Sequence, residues 1–287
     1  MSEVRVEFWG TRGSIPSPGP KTLRYGGNTS CVCIRWGDQV YICDAGTGIR
    51  PLGFHLANSG APTSGHVFIG HTHWDHIQGF PFFFPAYLPQ NKWAIHSAKG
   101  VGDSFEAIFR RQMGINYFPV EVGDMAATLD FSQVDGRPFN AGPGKVSTIY
   151  TNHPGICVGY RFDMDGRSVV YLTDHETHWT HMGRSEYSER LDREVADFCR
   201  GADLLICDSQ YTDAEYEKKR GWGHSRWRDT VALALDAEVK RLSLFHHDPE
   251  RSDDMIDAIT AEASDLVGKS AKSLLVASAR EGENIIL

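Results

Sequence analysis

Residues 71–79, "HTHWDHIQG", place His71, His73, Asp75 and His76 within six positions. They follow the apolar run "HVFIG" and stop short of Gly79. Folding alone offers no reason to gather four polar side chains there, whereas metal binding offers several. Side chains two apart at a strand end point to the same side. His71 and His73 therefore share a direction, and a tight turn brings Asp75 and His76 back toward them. Imidazole suits zinc, manganese or iron, and a carboxylate beside it favours a hard or borderline divalent ion over copper(I).

Such a site needs ligands from elsewhere, and they should emerge at the ends of core strands. Three residues close apolar runs in this way: His153 in "YTNHPG", Asp174 in "VVYLTDHE" and His246 in "LSLFHHDP". The chain has 13 histidines, so any one of these placements is weak evidence. Together with residues 71–76 they form a coherent set.

The pattern H-x-H-x-D-H, followed by a distant His, Asp and His at strand ends, resembles the metallo-β-lactamase-fold hydrolases over nearly the whole chain. The resemblance implies an α/β fold of the αββα sandwich type, two mixed sheets flanked by helices, with two divalent metal ions in a cleft at one edge. It implies that His71, His73 and His153 hold one ion, that Asp75, His76 and His246 hold the second, and that Asp174 bridges both. His247 competes with His246 for the last position; His246 is preferred because it directly follows the apolar run. Asp44, in "VYICDAGTG", matches an early motif of the superfamily whose carboxylate supports a ligand. Metal-bound histidines usually need such a partner to fix their tautomer. The neighbouring "GTGIRP" is not read as a dinucleotide loop, since Pro51 occupies the third glycine position.

Two divalent ions about 3.5–4 Å apart can hold a bridging hydroxide and clamp a phosphoryl oxygen, and metal binding lowers the pKa of water to about 7. A phosphodiester also needs its leaving oxygen protonated. "LLICDSQYT" and "GWGHS" resemble paired motifs of the phosphodiesterase branch, which includes ribonuclease Z. That resemblance implies a pair, Asp208 and His224. Asp208 would orient His224 as imidazolium, and His224 would protonate the leaving alkoxide or touch the scissile phosphate. Ser225 is expected to cap the following helix rather than act as a nucleophile. Asp75 is the remaining candidate catalytic group, as a second-ion ligand and base.

Ribonuclease Z carries a long RNA-gripping arm between the third His and the bridging Asp. Here only 21 positions separate His153 from Asp174, filled by a hairpin pattern. The expected substrate is therefore a small phosphodiester, a cyclic nucleotide or cyclic phosphate, cleaved by a metal-dependent hydrolase holding zinc, with manganese as the alternative ion. The rival readings are a ribonuclease Z-like RNA-processing nuclease and a thioester hydrolase of the glyoxalase II kind. Iron-dependent members put a carboxylate where His73 stands, and one β-lactamase class puts a cysteine in the second site, so both fit less well. A metal-holding scaffold without turnover is the non-enzymatic reading.

The elements that must position these groups are legible as patterns. Strands are expected at 3–9, 30–36, 39–44, 66–70, 92–97, 145–151, 156–163, 168–173, 203–208, 241–246 and 273–278, the last closing the chain. "GD" and "DMDG" join two hairpins. Helices are expected between 44 and 66, at 103–113 with Asp103 or Ser104 at the cap, and near 188–200, 225–239 and 252–266. Residues 114–144 show one further alternating run, "ATLDFSQV". Each half passes from hairpins to helix–strand alternation, which suggests a sheet sandwich flanked by helices. With no linker or 20–50-residue repeat, residues 1–287 are expected to form a single metallo-hydrolase domain.

Composition agrees. The chain has 287 residues, 41% hydrophobic and 23% charged, enough to bury a large core. A net charge of −8 argues against a broad nucleic-acid or anionic-membrane surface, so no stable nucleic-acid partner is expected. It leaves room for a phosphate substrate, because bound metal would be locally positive. The start, "MSEVRVEFWG", alternates like a strand and lacks the form of a secretory signal. No run approaches the roughly 18 apolar residues of a membrane span. Six cysteines (31, 33, 43, 157, 199 and 207) mostly sit in apolar strand-like runs and read as buried reduced thiols, which points to the cytoplasm. A homodimer is the assembly the resemblance leaves open.

Several stretches have a bland reading. "FPFFFPAYLP" (80–89) reads as core or dimer contact, with base stacking as the functional alternative. Trp74 is either cleft wall or packing. "GTRGS" and "RYGGNTS" are turns whose small residues would permit close approach to the site, with Arg12 as a candidate phosphate contact. "DHETHWTH", with His175, His178 and His181, is expected to be a solvated loop.

Overall fold

The computed structural model describes residues 3–58, 64–100 and 102–287. Residues 1–2, 59–63 and 101 lie outside the described residues, and with 59–63 part of the stretch between 44 and 66 where a helix is expected. Among the described residues, fourteen strands form two seven-stranded sheets. The first comprises β1 (Val4–Gly10), β2 (Cys31–Trp36), β3 (Gln39–Cys43), β4 (Gly65–Phe68), β5 (Lys92–Ala98), β6 (Thr128–Val134) and, from the far end of the chain, β14 (Asn284–Ile286). The second comprises β7 (Phe139–Ala141), β8 (Gly144–Tyr150), β9 (Val158–Met164), β10 (Arg167–Leu172), β11 (Leu204–Asp208), β12 (Arg241–Phe245) and β13 (Leu275–Ser278). In each sheet an antiparallel part gives way to a parallel part: β3–β4–β5–β6 and β10–β11–β12–β13 run parallel. This is the mixed-sheet sandwich expected.

The helices are α1 (Ile49–Asn58), α2 (Trp74–Ile77), α3 (Phe105–Arg111), α4 (His178–Met182), α5 (Glu186–Cys199), α6 (Asp213–Tyr216), α7 (Trp227–Asp236) and α8 (Asp253–Gly268). Three buried clusters define the layers. Between the sheets, Val6, Phe8, Ile34 and Phe68 meet Tyr160, Phe162, Tyr171 and Phe245. Outside the first sheet, Ile42, Val67 and Ile95 pack against Ile49 and Leu52 of α1 and Phe109 of α3. Outside the second, Val170, Leu205 and Leu244 pack against Val195 of α5, Val231 of α7 and Ala263 of α8. The strand period of two explains the layering: on β10, Val169 and Tyr171 face inward and Val170 and Leu172 outward. Strands buried on both faces read as continuous apolar runs, as "DLLICD" does.

The structure corrects the expectations at several points. The chain does not close at β13. Residues 284–286 return as β14 and pair with β1, Val6 opposite Ile285. Residues 139–141 form a strand that is too short to show a pattern. Of the two expected cap candidates for α3, Ser104 is the one that caps, accepting from the Ala107 amide. Ser225 does not cap α7: Arg226 occupies that position without a side-chain cap, and Ser225 Oγ donates to the His175 carbonyl at 2.6 Å.

Candidate metal centre

The parallel strands set the site. Their carboxyl ends align, with Leu172 opposite Cys207 and Asp208 opposite Phe245, and in α/β sheets ligands collect where such ends gather. Asp44 follows β3, His71–His76 follow β4, His153 follows β8, Asp174 follows β10, Asp208 ends β11 and His246 follows β12. Asp44, Asp174 and His246 take positive φ angles of 60°, 53° and 62°. Non-glycine residues are seldom held there, and such strain clusters at functional sites. The sharp reversal turns each side chain back over the sheet edge.

The structure brings together every residue singled out for the two ion positions. One group is His71, His73, His153 and Asp174; a second is Asp75, His76 and His246, with Asp174 also beside His246 and His224. His153 Nε2 faces His73 Nδ1 at 3.2 Å. His71 Nε2 lies 3.5 Å from Asp174 Oδ2. His76 Nε2 lies 3.2 Å from Asp75 Oδ2 and 3.3 Å from Asp174 Oδ1, and His246 Nε2 is 3.2 Å from the same two oxygens. His247 turns away, its Nε2 donating to the Ala279 carbonyl at 2.9 Å.

The outward ring nitrogens are engaged by partners that fix the tautomers. His76 Nδ1 donates to Asp44 Oδ2 at 2.6 Å, and Asp44 also accepts from Tyr171 Oη and the Gly70 amide. His153 Nδ1 donates to the Gly223 carbonyl, and His246 Nδ1 to Gln210 Oε1. His71 Nδ1 lies 3.6 Å from the buried Cys157 thiol. These bonds leave inward-facing lone pairs. Among the described residues, His71 Nε2 and His76 Nε2 are buried without any hydrogen bond, a costly state unless a cation meets them.

The electrostatics say the same. Burial opposes a charge on His76, yet Asp174, Asp75 and Asp44 outweigh it and hold its pKa well above the usual value. Burial likewise opposes charge on Asp174, but His246, His76 and His71 pull its pKa well below the carboxylate range. Carboxylates this buried demand positive charge. The donor set of five imidazoles, His71, His73, His76, His153 and His246, and two carboxylates fits a pair of divalent ions.

Asp208 and His224 meet beside this set. His224 Nδ1 donates to Asp208 Oδ2 at 2.7 Å, and the Ser225 amide donates to Asp208 Oδ1. His224 lines a cleft of about 420 Å³ together with Ser14, Thr72, His73, Trp74, Asp75 and Asp174. Trp74 stands in that wall and is 80% exposed, so it is not packing. Gly13 and Ser14 do approach the site: the Ser14 amide donates to Asp75 Oδ2 at 2.6 Å. Arg12 does not. It is fully buried and donates to the carbonyls of Gly26, Asp248 and Arg251, so it is a strut rather than a phosphate contact. In "FPFFFPAYLP", Phe80 and Phe83 are core, while Phe82 and Phe84 are half-exposed against Phe118 and Phe54.

Residues 174–181 are not a solvated loop. His175 and Glu176 are buried, and residues from His178 onward form α4. Asp192 accepts from the His178 and Trp179 amides and from His178 Nδ1, anchoring that helix to α5. His175 Nδ1 accepts from the Asn152 amide, which places its proton on Nε2. His175, His178 and Asp192 lie close enough to hold an ion, but Asp192 and one nitrogen of each ring, Nδ1, are already engaged in these bonds. The sequence does not single out Gln210, Glu176 or, beyond a buried thiol, Cys157, because no motif or periodicity marks a residue that supports the centre only through folding.

The fold and this site define a metallo-β-lactamase-fold protein. A family model for the β-lactamase superfamily domain matches residues 40–247, and the chain belongs to that family. It is similar to the ribonuclease Z of Haloarcula marismortui, 23% identical over 85% of this chain and 86% of that protein. Among solved structures it is similar to the metallo-β-lactamase fold protein YhfI of Bacillus subtilis, with a TM-score of 0.69 at 18% identity, covering 99% of this chain and 100% of that one. It is also similar to the short form of human tRNase Z, with a TM-score of 0.65 at 20% identity, covering 98% of each.

Proposed function

We propose that this protein is a metal-dependent phosphodiesterase acting on a small phosphodiester, a cyclic nucleotide or cyclic phosphate. The observation that carries the reading is the Asp208–His224 pair, set 2.7 Å apart, with His224 lining the same cleft as Asp75 and Asp174. His71, His73 and His153 would hold one ion, Asp75, His76 and His246 the other, and Asp174 would reach both. Zinc is the expected ion, with manganese as the alternative. When bound, two such ions neutralise phosphoryl charge and make water acidic enough to ionise near neutral pH.

The chain's own groups do the rest. Asp208 holds Nδ1 of His224, leaving Nε2 as the free nitrogen to deliver a proton to the leaving alkoxide. The Ser14 amide holds the Asp75 carboxylate in place. A thioester leaves as a stabilised thiolate and has less need of an acid, so the pair favours phosphate chemistry.

Ribonuclease Z-like cleavage of RNA is the second reading, supported by the name and broad coverage of the Haloarcula relative. The small substrate is favoured by the connection from His153 to Asp174, which is no more than the β9–β10 hairpin, and by the net charge of −8. We place the protein in the cytoplasm as one domain, a reading supported by six unpaired, buried cysteines. Among the described residues no helix is long and apolar enough to cross a membrane. The test is metal analysis followed by a screen of cyclic nucleotides, dinucleotides and precursor tRNA. Turnover of precursor tRNA alone would replace the small-substrate reading with the second one.

A further inference from the structure

Glu176 is a buried carboxylate that the proposed chemistry leaves unused. It is 1% exposed and sits two residues beyond Asp174. Its Oε1 accepts from the Gly221 amide at 2.9 Å and its Oε2 from the Gly223 amide at 3.0 Å. The Tyr216 hydroxyl donates to Oε1 as well. Its backbone is tied to the other side of the site: the Glu176 amide donates to the Asn152 carbonyl, and Asn152 Nδ2 donates to the Glu176 carbonyl. Asn152 immediately precedes His153, and Gly223 immediately precedes His224.

The loop so gripped has two jobs. The Gly223 carbonyl accepts from His153 Nδ1 at 3.1 Å, which directs Nε2 of that ring inward. The next residue, His224, reaches Asp208. The loop would not hold this shape unaided. Gly221 and Gly223 adopt φ of 83° and 88°, a region cheap only for glycine and costly in chain entropy to fix. Trp222 between them is 59% exposed and packs too little to anchor the turn. A Cβ on Gly223 would stand 2.1 Å from His153 Nδ1, so the backbone must run flush against the ring. Two amides, one on either side of Trp222, locked onto one buried carboxylate are what keep it there.

We infer that Glu176 is a positioning residue: its carboxylate clamps residues 221–224 so that one loop sets both the third histidine of the first ion position and the proton donor His224. The inference rests on the metal-site reading for its first half and on the phosphodiesterase reading for its second half.

The experiment compares wild type, Glu176→Gln and Tyr216→Phe, each loaded with zinc and titrated with a chromophoric chelator. Glu176→Gln turns an amide NH₂ toward a loop N–H. It should release one zinc equivalent about 10-fold or more readily, the scale on which groups behind a ligand act. Tyr216→Phe leaves both loop bonds in place and should stay within about 3-fold of wild type. Turnover supplies a second readout. In Glu176→Gln, hydrolysis of a 2′,3′-cyclic nucleotide should fall about 10-fold further than that of bis(p-nitrophenyl) phosphate, whose leaving group needs no proton. Unchanged zinc release with unchanged leaving-group dependence overturns the clamp, as does equal loss in both variants. If Glu176→Gln does not fold, Glu176→Asp, whose shorter carboxylate cannot span both amides, is read in its place against the same thresholds. If wild type binds two zinc equivalents but cleaves no phosphodiester, the functional reading fails, and the chelator comparison still decides the clamp.

Discussion

His246 Nε2 stands 3.2 Å from Asp75 Oδ2, although 171 positions separate the two residues. One follows the parallel strand β12 of the second sheet; the other lies on the short α2 after β4 of the first. Their meeting means that both sheets contribute to a single centre, so the centre forms only when the sheets pack. Neither partner can move freely. Asp75 is held by the Ser14 amide, and the His246 ring by Gln210 on its far nitrogen.

Replacing Asp75 tests the second ion position. Asp75→Ala should release one metal equivalent and lower hydrolysis of bis(p-nitrophenyl) phosphate by about 100-fold or more, since a direct ligand should matter at least as much as the groups behind it. The circular dichroism spectrum should be retained. Full activity with two bound ions would contradict the assignment.

Asp44 is expected to act through His76. It accepts from His76 Nδ1, Tyr171 Oη and the Gly70 amide, and an amide oxygen cannot satisfy all three donors as well. Asp44→Asn should weaken metal affinity by about 10–100-fold. Competition with a chelator measures this directly, and unchanged affinity would leave Asp44 a purely structural aspartate.

His224 separates phosphodiester from thioester chemistry. His224→Ala should lower turnover of a 2′,3′-cyclic nucleotide by about 10²–10⁴-fold, the usual range for general acid catalysis. Bis(p-nitrophenyl) phosphate should suffer much less. A variant that hydrolyses thioesters at the wild-type rate and no phosphodiester points to the glyoxalase II-like alternative.

Gly13 lies flush against the His246 ring: a Cβ there would stand 2.4 Å from His246 Cε1. Gly13→Ala should therefore push the ring off Asp75, weaken binding of the second ion and cost about 1–3 kcal/mol of stability through overpacking. Gly70→Ala is the control, because its Cβ would meet nothing closer than 3.4 Å. Equal behaviour of the two variants in metal titration would remove Gly13 from the argument.

A pH effect unrelated to the site is expected at His96. Burial, assisted by His66, lowers its pKa to about 4. The ring lies against Phe68, centroids 4.9 Å apart, and its Nδ1 is a buried nitrogen without a hydrogen bond among the described residues. With a folded pKa below the unfolded value of about 6.5, the unfolded chain takes up the proton first. Wild type therefore loses stability as pH falls from about 6.5 to about 4, by about 3 kcal/mol from this group. His96→Phe keeps the stack and removes the titration. Relative to wild type it should gain stability across that window, read from urea midpoints at pH 7.5 and 4.5. A constant difference would show that His96 does not titrate there.

The order of elements was largely readable because strands and helices write their period locally. The hairpins, the helix of α5 and the apolar run of β11 each lie within one short continuous stretch of chain. The short pieces were not readable. β7 and β14 have three residues each, too few to show alternation, and what makes them strands is the neighbour they pair with. The misjudged stretch 174–181 shows the same limit. Its histidines look solvent-bound in sequence, and only contacts from distant segments, Asn152 and Ser225 on His175 and Asn152, Tyr216 and Gly221–Gly223 on Glu176, bury those two residues.

The sequence by itself determined the donor types, the H-x-H-x-D-H spacing and the placement of His153, Asp174, Asp208 and His246 at the ends of apolar runs, because a strand's end and its last side chains are local properties. The tertiary structure decided which nitrogen of each ring faces inward, that His246 and not His247 enters the centre, and that Gly13, Gln210 and Glu176 stand behind it. Those outcomes depend on left-handed backbone at Asp44, Asp174 and His246 and on contacts between sheets far apart in the chain. No local pattern encodes them, since each exists only once the two sheets have closed on their shared core.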